Sequence, residues 1–227
     1  MFDGKIGLWP LAETYVAMRG SVKRKKGTIC TRNVASVDRP LHKHYIIEEV
    51  IPAIKAKWPA SERGRTIYIQ QDNATPHVSV SEPDVVAAGT SDGWNIRLLF
   101  QPPNSPDLNV LDLRFFAMIQ CIQYRQQTRG IQNLIRAVTV AFEETSTTTL
   151  DNIFLTLQCV IQCILLNEGG NRYPLPHIDK EVLRKKGFAD RDHVRLGGVR
   201  TGCAGPRTSR SAYAVLSCDQ NTSASYR

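Results

Sequence analysis

The order of apolar patterns along the chain predicts a mixed α/β structure, in which helices pack on a sheet. Short runs rich in β-branched or apolar residues, which are typical of strands, alternate with longer segments whose apolar residues recur at helical spacing. In chain order the pattern is strand, strand, helix, strand, short helix, strand and three helices. With 227 residues, of which 42% are hydrophobic, the chain is long enough to bury a sizeable core.

The first two strands and the first helix are predicted from residue type and proline positions. The run 5–9 is short and apolar and ends at a proline, and the run 27–37 is rich in β-branched residues in rough alternation. A helix is predicted over 41–57 with a kink at Pro52, because proline cannot donate a backbone hydrogen bond. Its apolar face is formed by Tyr45, Ile46, Val50, Ile51 and Ile54.

The following part of the chain is predicted to hold two strands and four helices. Three prolines make 101–106 irregular, because each removes a backbone donor and fixes φ. Asp107 or Asn109 is expected to cap the helix that follows. The predicted elements are a strand at 66–71, a short helix at 82–88, a strand at 94–100, a helix running to about 127, and helices at 131–144 and about 149–167.

Charge is unevenly distributed along the chain. The formal net charge is +8 and the pI is about 9.3, which is consistent with a polyanionic partner without identifying one. Residues 184–227 hold nine Lys or Arg and three Asp or Glu, a net of +6. Large apolar residues become rare beyond about 187, so we divide the chain into a domain at 1–180 and a basic, disordered tail at 188–227.

The cysteine spacing predicts reduced thiols in an intracellular protein, and the apolar runs predict that the chain does not span a membrane. None of the six cysteines falls in a CxxC pair, and no secretory signal is visible at the start. The longest apolar run, 153–166, is interrupted by polar residues and is predicted to be too short to span a bilayer.

Asp72 is the first residue that indicates chemistry. It lies at the carboxyl end of the predicted strand 66–71 and is followed by Asn73 and His77 in a turn. Ligand and metal sites of open α/β sheets gather at strand ends, where a strand would hold this carboxylate rigidly. A turn or capping role for Asp72 is the simpler alternative. A second acidic segment, with Asp107 and Asp112 at the entrance of a helix, favours a shared site.

Asp112 is the more informative acid of the second segment. Its neighbour Leu111 belongs to the apolar face of the predicted helix, and a carboxylate at the edge of a packed face costs desolvation unless a cation compensates. Mg²⁺ prefers oxygen ligands and usually takes one or two carboxylates, and paired ions of this kind support phosphodiester chemistry. The two acidic segments together predict a divalent-cation site.

Four motifs, in this order, resemble the catalytic domain of Tc/mariner transposases, in particular those of the mariner-like elements of plants and oomycetes. They are FDGKIGLWP, QQDNATPH, QPPNSPDLNVLDLRFF and GGNRYPLPH, and the resemblance spans about residues 2–180. It implies an RNase H-like mixed sheet flanked by helices, with three acidic residues that bind two Mg²⁺ or Mn²⁺ ions. It also implies cleavage and strand transfer of DNA at transposon ends, a nuclear location and DNA as the partner, with a homodimer left open.

The resemblance assigns roles to individual residues. Asp72 matches the second acid of the triad. Asp112 matches the third, with 39 residues between the two, whereas Asp107, with 34 between, is expected to cap the helix. Both matched acids are the expected catalytic and metal-binding residues. The positions expected to neighbour the site are Asn73, His77, Asp107 and Asn109.

The first acid of the family has no match in this chain. It belongs to a first strand resembling DEKWF, upstream of FDGKIGLWP, and Asp3 lies at a turn before a later strand instead. We therefore expect a partial catalytic domain that lacks the first strand and is inactive alone, because a two-metal site that loses a carboxylate loses charge that holds the ions. The alternative is a non-catalytic remnant that still binds nucleic acid.

Basic residues outside the tail concentrate between the first two predicted strands. This run consists of Lys23, Arg24, Lys25 and Lys26. It is able to contact phosphates or to act as a nuclear import signal, and a solvated hairpin loop is the simpler interpretation. Arg114 lies two residues after Asp112 and is able to neutralise that acid or to contact phosphate.

Overall fold

The computed structural model of the protein describes residues 2–125, 130–170 and 172–174, and these form a mixed α/β structure, as the sequence predicts. The strands are β1 (Ala12–Val16), β2 (Ile29–Asn33), β3 (Thr66–Gln71) and β4 (Asn95–Phe100). The helices are α1 (Arg39–Tyr45), α2 (Ile51–Lys57), α3 (Pro83–Thr90), α4 (Phe116–Arg125), α5 (Ile131–Glu144) and α6 (Thr147–Leu166). The predicted tail at 188–227 lies outside the described residues.

Strands β3 and β4 form a parallel pair that carries the predicted site. Their register runs from Thr66 opposite Asn95 to Gln71 opposite Phe100, and the amide of Gln101 extends it by donating to the carbonyl of Gln71 at 2.9 Å. Parallel strands need a crossover, which α3 provides. The carboxyl ends of both strands therefore lie at the same edge.

The described strands form two separate two-stranded sheets, which corrects the prediction of one mixed sheet. Strands β1 and β2 pair antiparallel as a hairpin, and among the described residues no ladder of backbone hydrogen bonds joins this hairpin to the parallel pair. The strand predicted at 5–9 is also wrong: the first strand, β1, begins beyond Pro10 at Ala12. No described strand therefore pairs with the free edge of β3.

The polar groups of segment 5–9 form hydrogen bonds to α2 and to the end of α5, and not to a neighbouring strand. The Lys5 ammonium donates to the carbonyls of Glu143 at 2.8 Å and Thr145 at 3.1 Å, at the end of α5. The carbonyl of Ile6 accepts a 2.6 Å bond from the Lys57 ammonium, while the Ile6 side chain is buried. These contacts hold the segment across α2 and α5, which is a role that the apolar pattern alone does not reveal.

The helix predicted over 41–57 is confirmed, and its irregularity lies just before Pro52. Asp38 caps α1 by accepting from the amide of Leu41 at 2.9 Å. A π turn, Ile46–Val50, joins α1 to α2, because Pro52 has no N–H to continue the α-helical ladder. Four of the five residues of the predicted apolar face are buried in the first core, namely Ile46, Val50, Ile51 and Ile54, whereas Tyr45 is only half-buried.

A second core forms where α4, α5 and α6 pack together. Its buried residues are Val110, Phe115, Ile119, Ala141, Ile153 and Leu157. Cys159 and Cys163, at helical spacing on α6, are buried and are not disulfide-bonded, and neither are Cys30 and Cys121. The other two cysteines lie outside the described residues.

Helix α6 is longer than the apolar run predicted from sequence. Ser146 caps it, accepting from the amide of Thr149 at 3.1 Å, so that the helix covers 20 residues. With mean hydropathy 1.6 it is the one helix in the described ranges that is long and apolar enough to cross a membrane by length and composition. This corrects the expectation that the run is too short. Six side chains of α6 are buried, as in a helix of a packed core.

Candidate functional site

Asp72 follows β3 directly, and its carboxylate is held in place on one side. Oδ1 accepts from the amide of Ala74 at 2.8 Å and lies 3.0 Å from Nδ1 of His77. Among the described residues, no partner binds Oδ2, and the side chain is 31% exposed. The carboxylate is therefore oriented by the loop through one oxygen and presents the other toward solvent.

The loop that orients Asp72 is anchored to its surroundings at three points. The buried amide of Gln71 donates to the carbonyl of Val78 at 2.8 Å and closes the loop at its base. Nδ1 of His77 is also 2.9 Å from the carbonyl oxygen of Asp72. Arg39, on α1, donates to the carbonyl of Thr75 at 3.2 Å. These bonds reduce the number of conformations open to the loop.

His77 is buried and packs on a second buried histidine, His42 of α1. The ring centroids are 4.4 Å apart with the planes tilted by 34°. Within the described ranges, both ring nitrogens of His42 and Nε2 of His77 lack a hydrogen-bond partner. Burial lowers the pKa of His42 to about 4, and the nearby His77 contributes to the same shift. His42 is therefore neutral at physiological pH and packs behind the group that orients Asp72.

The second acidic segment is tied to the same strand edge. The carbonyl of Leu108, at the end of the 3₁₀ turn Pro106–Leu108, accepts from the side-chain amide of Gln70 at 2.8 Å. Asn73 donates to the carbonyl of Gln101 at 3.0 Å, which joins the end of β3 to the end of β4. The chain that leads into Asp112 thus runs beside the strand that leads into Asp72.

Asp112 lies in a π turn, Leu111–Phe115, at the start of the helical segment, and the residue is exposed. The amide of Phe116 bonds to the carbonyl of Leu111, which gives the wider turn. Such turns are frequent at functional sites. Asp112 therefore lies at the surface, in the first turn of this helical segment.

Asn109, and not Asp107, caps this helical segment, which corrects one of the two predicted capping roles. The buried Asn109 accepts from the amide of Leu111 through Oδ1 at 3.1 Å. Asp107 lies inside the 3₁₀ turn, where Oδ2 accepts from the hydroxyl of Tyr173 at 2.8 Å. Burial of Tyr173 and this hydrogen bond raise the pKa of the tyrosine to about 12. The contact joins the motif around Tyr173 to the second acidic segment.

Two carboxylates are the number that Mg²⁺ usually takes from a protein, and oxygen ligands suit it. The hydrogen bond from Gln70 to the carbonyl of Leu108 joins the segments that contain the two predicted acids, Asp72 and Asp112. Within the described ranges there is no group of three or more His, Cys, Asp or Glu that could hold a metal ion.

The predicted basic run lies in the loop between β1 and β2, and all four of its residues are exposed. It consists of Lys23, Arg24, Lys25 and Lys26. The position of the run in an exposed hairpin loop agrees with the sequence prediction, and its role in contacting phosphate stays a prediction. The backbone of Arg114 lies in the π turn beside Asp112, and its side chain lies outside the described part of the chain.

Sequence analysis did not single out His42 or Gln71, although both carry a periodic signal. His42 is four residues before Ile46, so it lies on the predicted apolar face of the helix. Gln71 continues the alternation of Ile67 and Ile69, which are buried in β3. A polar residue at a core position of a regular element was the signal that could have identified both.

Comparison with protein-family models, with curated proteins and with solved structures gives no match for this chain.

Proposed function

We propose that the chain carries part of a metal-dependent phosphodiester site of the Tc/mariner transposase type, with DNA as its substrate. In this proposal Asp72 and Asp112 are two of the three metal-binding acids, and β3 and β4 belong to an RNase H-like sheet. The ions are Mg²⁺ or Mn²⁺, and the protein acts in the nucleus. No described residue matches the first acid of the triad, so we expect little or no cleavage by these residues alone.

The observation that carries the proposal is the hydrogen bond from Gln70 to the carbonyl of Leu108. It joins the two acidic segments at the carboxyl edge of a parallel strand pair, although its donor and acceptor are 38 positions apart in the chain. This edge is where ligand sites of open α/β sheets gather. A cap or turn role alone would not require the two segments to meet.

The residues around Asp72 hold its carboxylate in an orientation in which it could bind a metal ion. The amide of Ala74 donates to Oδ1, and the His77 ring, which bonds to the Asp72 carbonyl oxygen, lies 3.0 Å from the same carboxylate oxygen. These contacts orient the carboxylate, which is partly exposed. An acid held in this way loses less conformational entropy when it binds a cation. A bound divalent cation would supply the positive charge that phosphodiester chemistry requires.

A second candidate function is a protein that binds nucleic acid without cutting it. It is favoured by the lack, within the described ranges, of any group of three potential metal ligands. The exposed basic loop between β1 and β2 would serve such a protein equally well. The two candidates differ in whether a divalent cation binds at Asp72 and Asp112.

Titration with Mn²⁺, followed by calorimetry or by electron paramagnetic resonance, tests the site. We expect Asp72→Asn and Asp112→Asn each to weaken Mn²⁺ binding by about tenfold or more, because each removes one of two charged ligands. Asp107→Asn is the matched control, since it removes an exposed acid of the same segment that binds Tyr173. It should leave the affinity within about twofold of the wild type.

Mn²⁺ binding that is unchanged in both site variants would remove the basis of the first proposal. Equal weakening by Asp107→Asn would show that net charge, and not the site, governs binding. Incubation of the chain with a labelled duplex and Mn²⁺ separates the candidates further. Mn²⁺ binding at Asp72 and Asp112 with little or no cleavage supports the first candidate as stated, and cleavage that Asp72→Asn abolishes would contradict the expectation that the partial site is inactive. Duplex binding without Mn²⁺ binding and without cleavage favours the second candidate.

A further inference from the structure

The β1–β2 hairpin concentrates positive charge without acidic neighbours in the sequence. Between Glu13 and Asp38 the chain contains six basic residues and no acidic one. The basic residues, all of them exposed, are Arg19, Lys23, Arg24, Lys25, Lys26 and Arg32. Like charges at this density repel one another and destabilise the fold slightly. An anionic partner would relieve this repulsion.

Most of these charges are also unpaired in the structure. Among the described residues, no carboxylate forms an ion pair with Arg19, Lys23, Lys25 or Lys26; Arg32 alone of the six has one, with Glu13 at 2.7 Å. Some basic residues elsewhere are neutralised: Lys43 is paired with two acids at the start of α3, and Lys55 is paired with Asp92 at 3.1 Å. Others, such as Arg39, Arg63 and Arg97, form no ion pair with a described carboxylate, but they are not consecutive in the chain. The hairpin is distinguished by a run of four consecutive basic residues without such an ion pair.

Two arginines of the hairpin are held in fixed positions on Tyr15. The guanidinium carbons of Arg24 and Arg32 lie 5.8 Å and 5.1 Å from the ring centroid, and Arg24 donates to the tyrosine hydroxyl at 2.7 Å. A guanidinium stacked on a ring loses less side-chain entropy when it binds an anion. The hairpin thus combines two ordered guanidinium groups with four unpaired cations.

The shape of the hairpin suits a nucleic-acid duplex. A two-stranded antiparallel ribbon fits the major groove of DNA, and five paired residues span about 17 Å. Duplex DNA carries one negative charge per about 1.7 Å of its axis, so phosphates are available at the spacing of the cations. An anionic bilayer would favour an aromatic ring at its interface. The one aromatic residue of the hairpin, Tyr15, is half-buried under the two guanidinium groups instead.

We propose that the β1–β2 hairpin, residues 12–33, docks on the phosphate backbone of duplex DNA, apart from the acidic edge at Asp72. The choice of DNA as the polyanion rests on the proposed function, whereas the docking surface itself rests on the hairpin. Lys23, Lys25 and Lys26 supply unpaired charge at the tip, and Arg24 and Arg32 bind through guanidinium groups oriented by Tyr15. Binding of this kind is independent of sequence and strongly dependent on salt.

Fluorescence anisotropy of a labelled duplex, measured with the full chain in EDTA, tests the proposal. In the variant K23Q/K25Q/K26Q we expect affinity to fall by about tenfold or more at low salt. The slope of log affinity against log salt should become shallower by about 3, since three phosphate contacts are lost. The charge-preserving variant K23R/K25R/K26R should bind as the wild type does, which separates loss of charge from misfolding.

The control variant R63Q/R65Q/R97Q removes the same charge from exposed positions next to or within the parallel strand pair. It should keep wild-type affinity within about twofold if the hairpin is the docking surface. Equal weakening in the two glutamine variants would overturn the proposal, because net charge alone would then explain binding. Unchanged DNA binding in K23Q/K25Q/K26Q would also overturn the proposal. If the same variant then lost binding to vesicles that contain phosphatidylserine, the partner of the hairpin would be an anionic membrane instead.

Measurement in EDTA separates this proposal from the proposed function. Hairpin docking needs no divalent cation, so the wild type should bind the duplex in EDTA, while Mn²⁺ binding is measured in a separate titration. Loss of Mn²⁺ binding with hairpin-dependent DNA binding intact would contradict only the metal site. Retained Mn²⁺ binding with DNA binding that does not depend on the hairpin would contradict only the docking proposal.

Discussion

Acid should destabilise the folded chain through His42, the buried residue behind the Asp72 loop. Its side chain is 4% exposed, neither ring nitrogen has a partner among the described residues, and burial, with His77 as the second cause, lowers its pKa from 6.5 to about 4. In the unfolded chain the same histidine binds a proton near its ordinary pKa. Between pH 6.5 and about 4 the unfolded state therefore binds more protons, and the free energy of unfolding falls as the pH falls.

The size of this effect follows from the difference between the two pKa values. At about 1.36 kcal/mol per pKa unit, a drop from 6.5 to about 4 corresponds to a loss of about 3 kcal/mol across the whole window. About 2 kcal/mol of this is already lost at pH 5, where the unfolded histidine is almost fully protonated. The free energy of unfolding of a native domain is about 5–15 kcal/mol, so a loss of this size is large enough to measure.

Urea unfolding followed by circular dichroism, at several pH values between about 4 and 8, measures the effect in the wild type and in His42→Leu. Leucine fills the buried position without a titratable group and sacrifices no hydrogen bond to the described residues. At neutral pH we expect the two to differ by less than about 1.5 kcal/mol. At pH 5 the variant should have gained about 2 kcal/mol relative to the wild type.

The control is His44→Leu, which removes an exposed histidine from the same helix. Its free energy of unfolding should follow the pH dependence of the wild type. Parallel curves for the wild type and His42→Leu between pH 4 and 6.5 would refute the reasoning, because His42 would then bind protons equally in both states.

Three further substitutions test packing contacts by urea or thermal unfolding. Lys5→Met should cost about 2 kcal/mol, because it removes a charged donor from carbonyls at the end of α5; a loss below about 0.5 kcal/mol would contradict this. Gly89→Ala should lower the free energy of unfolding by about 2 kcal/mol or more, because the added methyl group would clash with the carbonyl of Ile96 in β4. An unchanged Tm would contradict this and show that α3 can move away from β4. Tyr173→Phe should lower the free energy of unfolding by about 1 kcal/mol, because the hydrogen bond to Asp107 is lost. It should also remove from an ultraviolet titration the tyrosine whose pKa is raised to about 12.

Local patterns predicted the regular elements well where burial repeats with the period of the element. Strand β3 has the bounds predicted for it, and α5 covers 131–144 as expected. The alternation of buried residues in β3 and the helical spacing in α1 and α2 follow from the geometry of the backbone. Which face of a helix or strand is apolar depends only on the residues of that segment, so the segment's own sequence is sufficient to predict which face is buried.

Long-range hydrogen bonds account for two of the predictions that were wrong. The run 5–9 has the composition of a strand, yet Lys5 binds the end of α5 and the carbonyl of Ile6 binds Lys57. Asp107 has the residue type of a cap, yet Tyr173 binds its carboxylate, and Asn109 caps the helix instead. In each case a partner far along the chain competes with the local role.

The candidate site also combines residues that the sequence pointed out with a contact that only the structure shows. Asp72 and Asp112 were identified from their positions after a strand and in a helix entrance, and from the motifs that contain them. The bond between Gln70 and Leu108, which brings the two segments together, could not be predicted, because it depends on how the irregular segment 101–106 folds back.

The amino-acid sequence alone was sufficient for the α/β class, for the periodic elements and for placing the basic run in a loop between two strands, because each rests on local spacing and residue type. Only the folded chain decided that the described strands form two separate pairs and that His42 packs against His77 behind Asp72. These features depend on which distant groups meet when the apolar faces are buried. A burial pattern records that a residue is inside, but it does not record which residue it meets there.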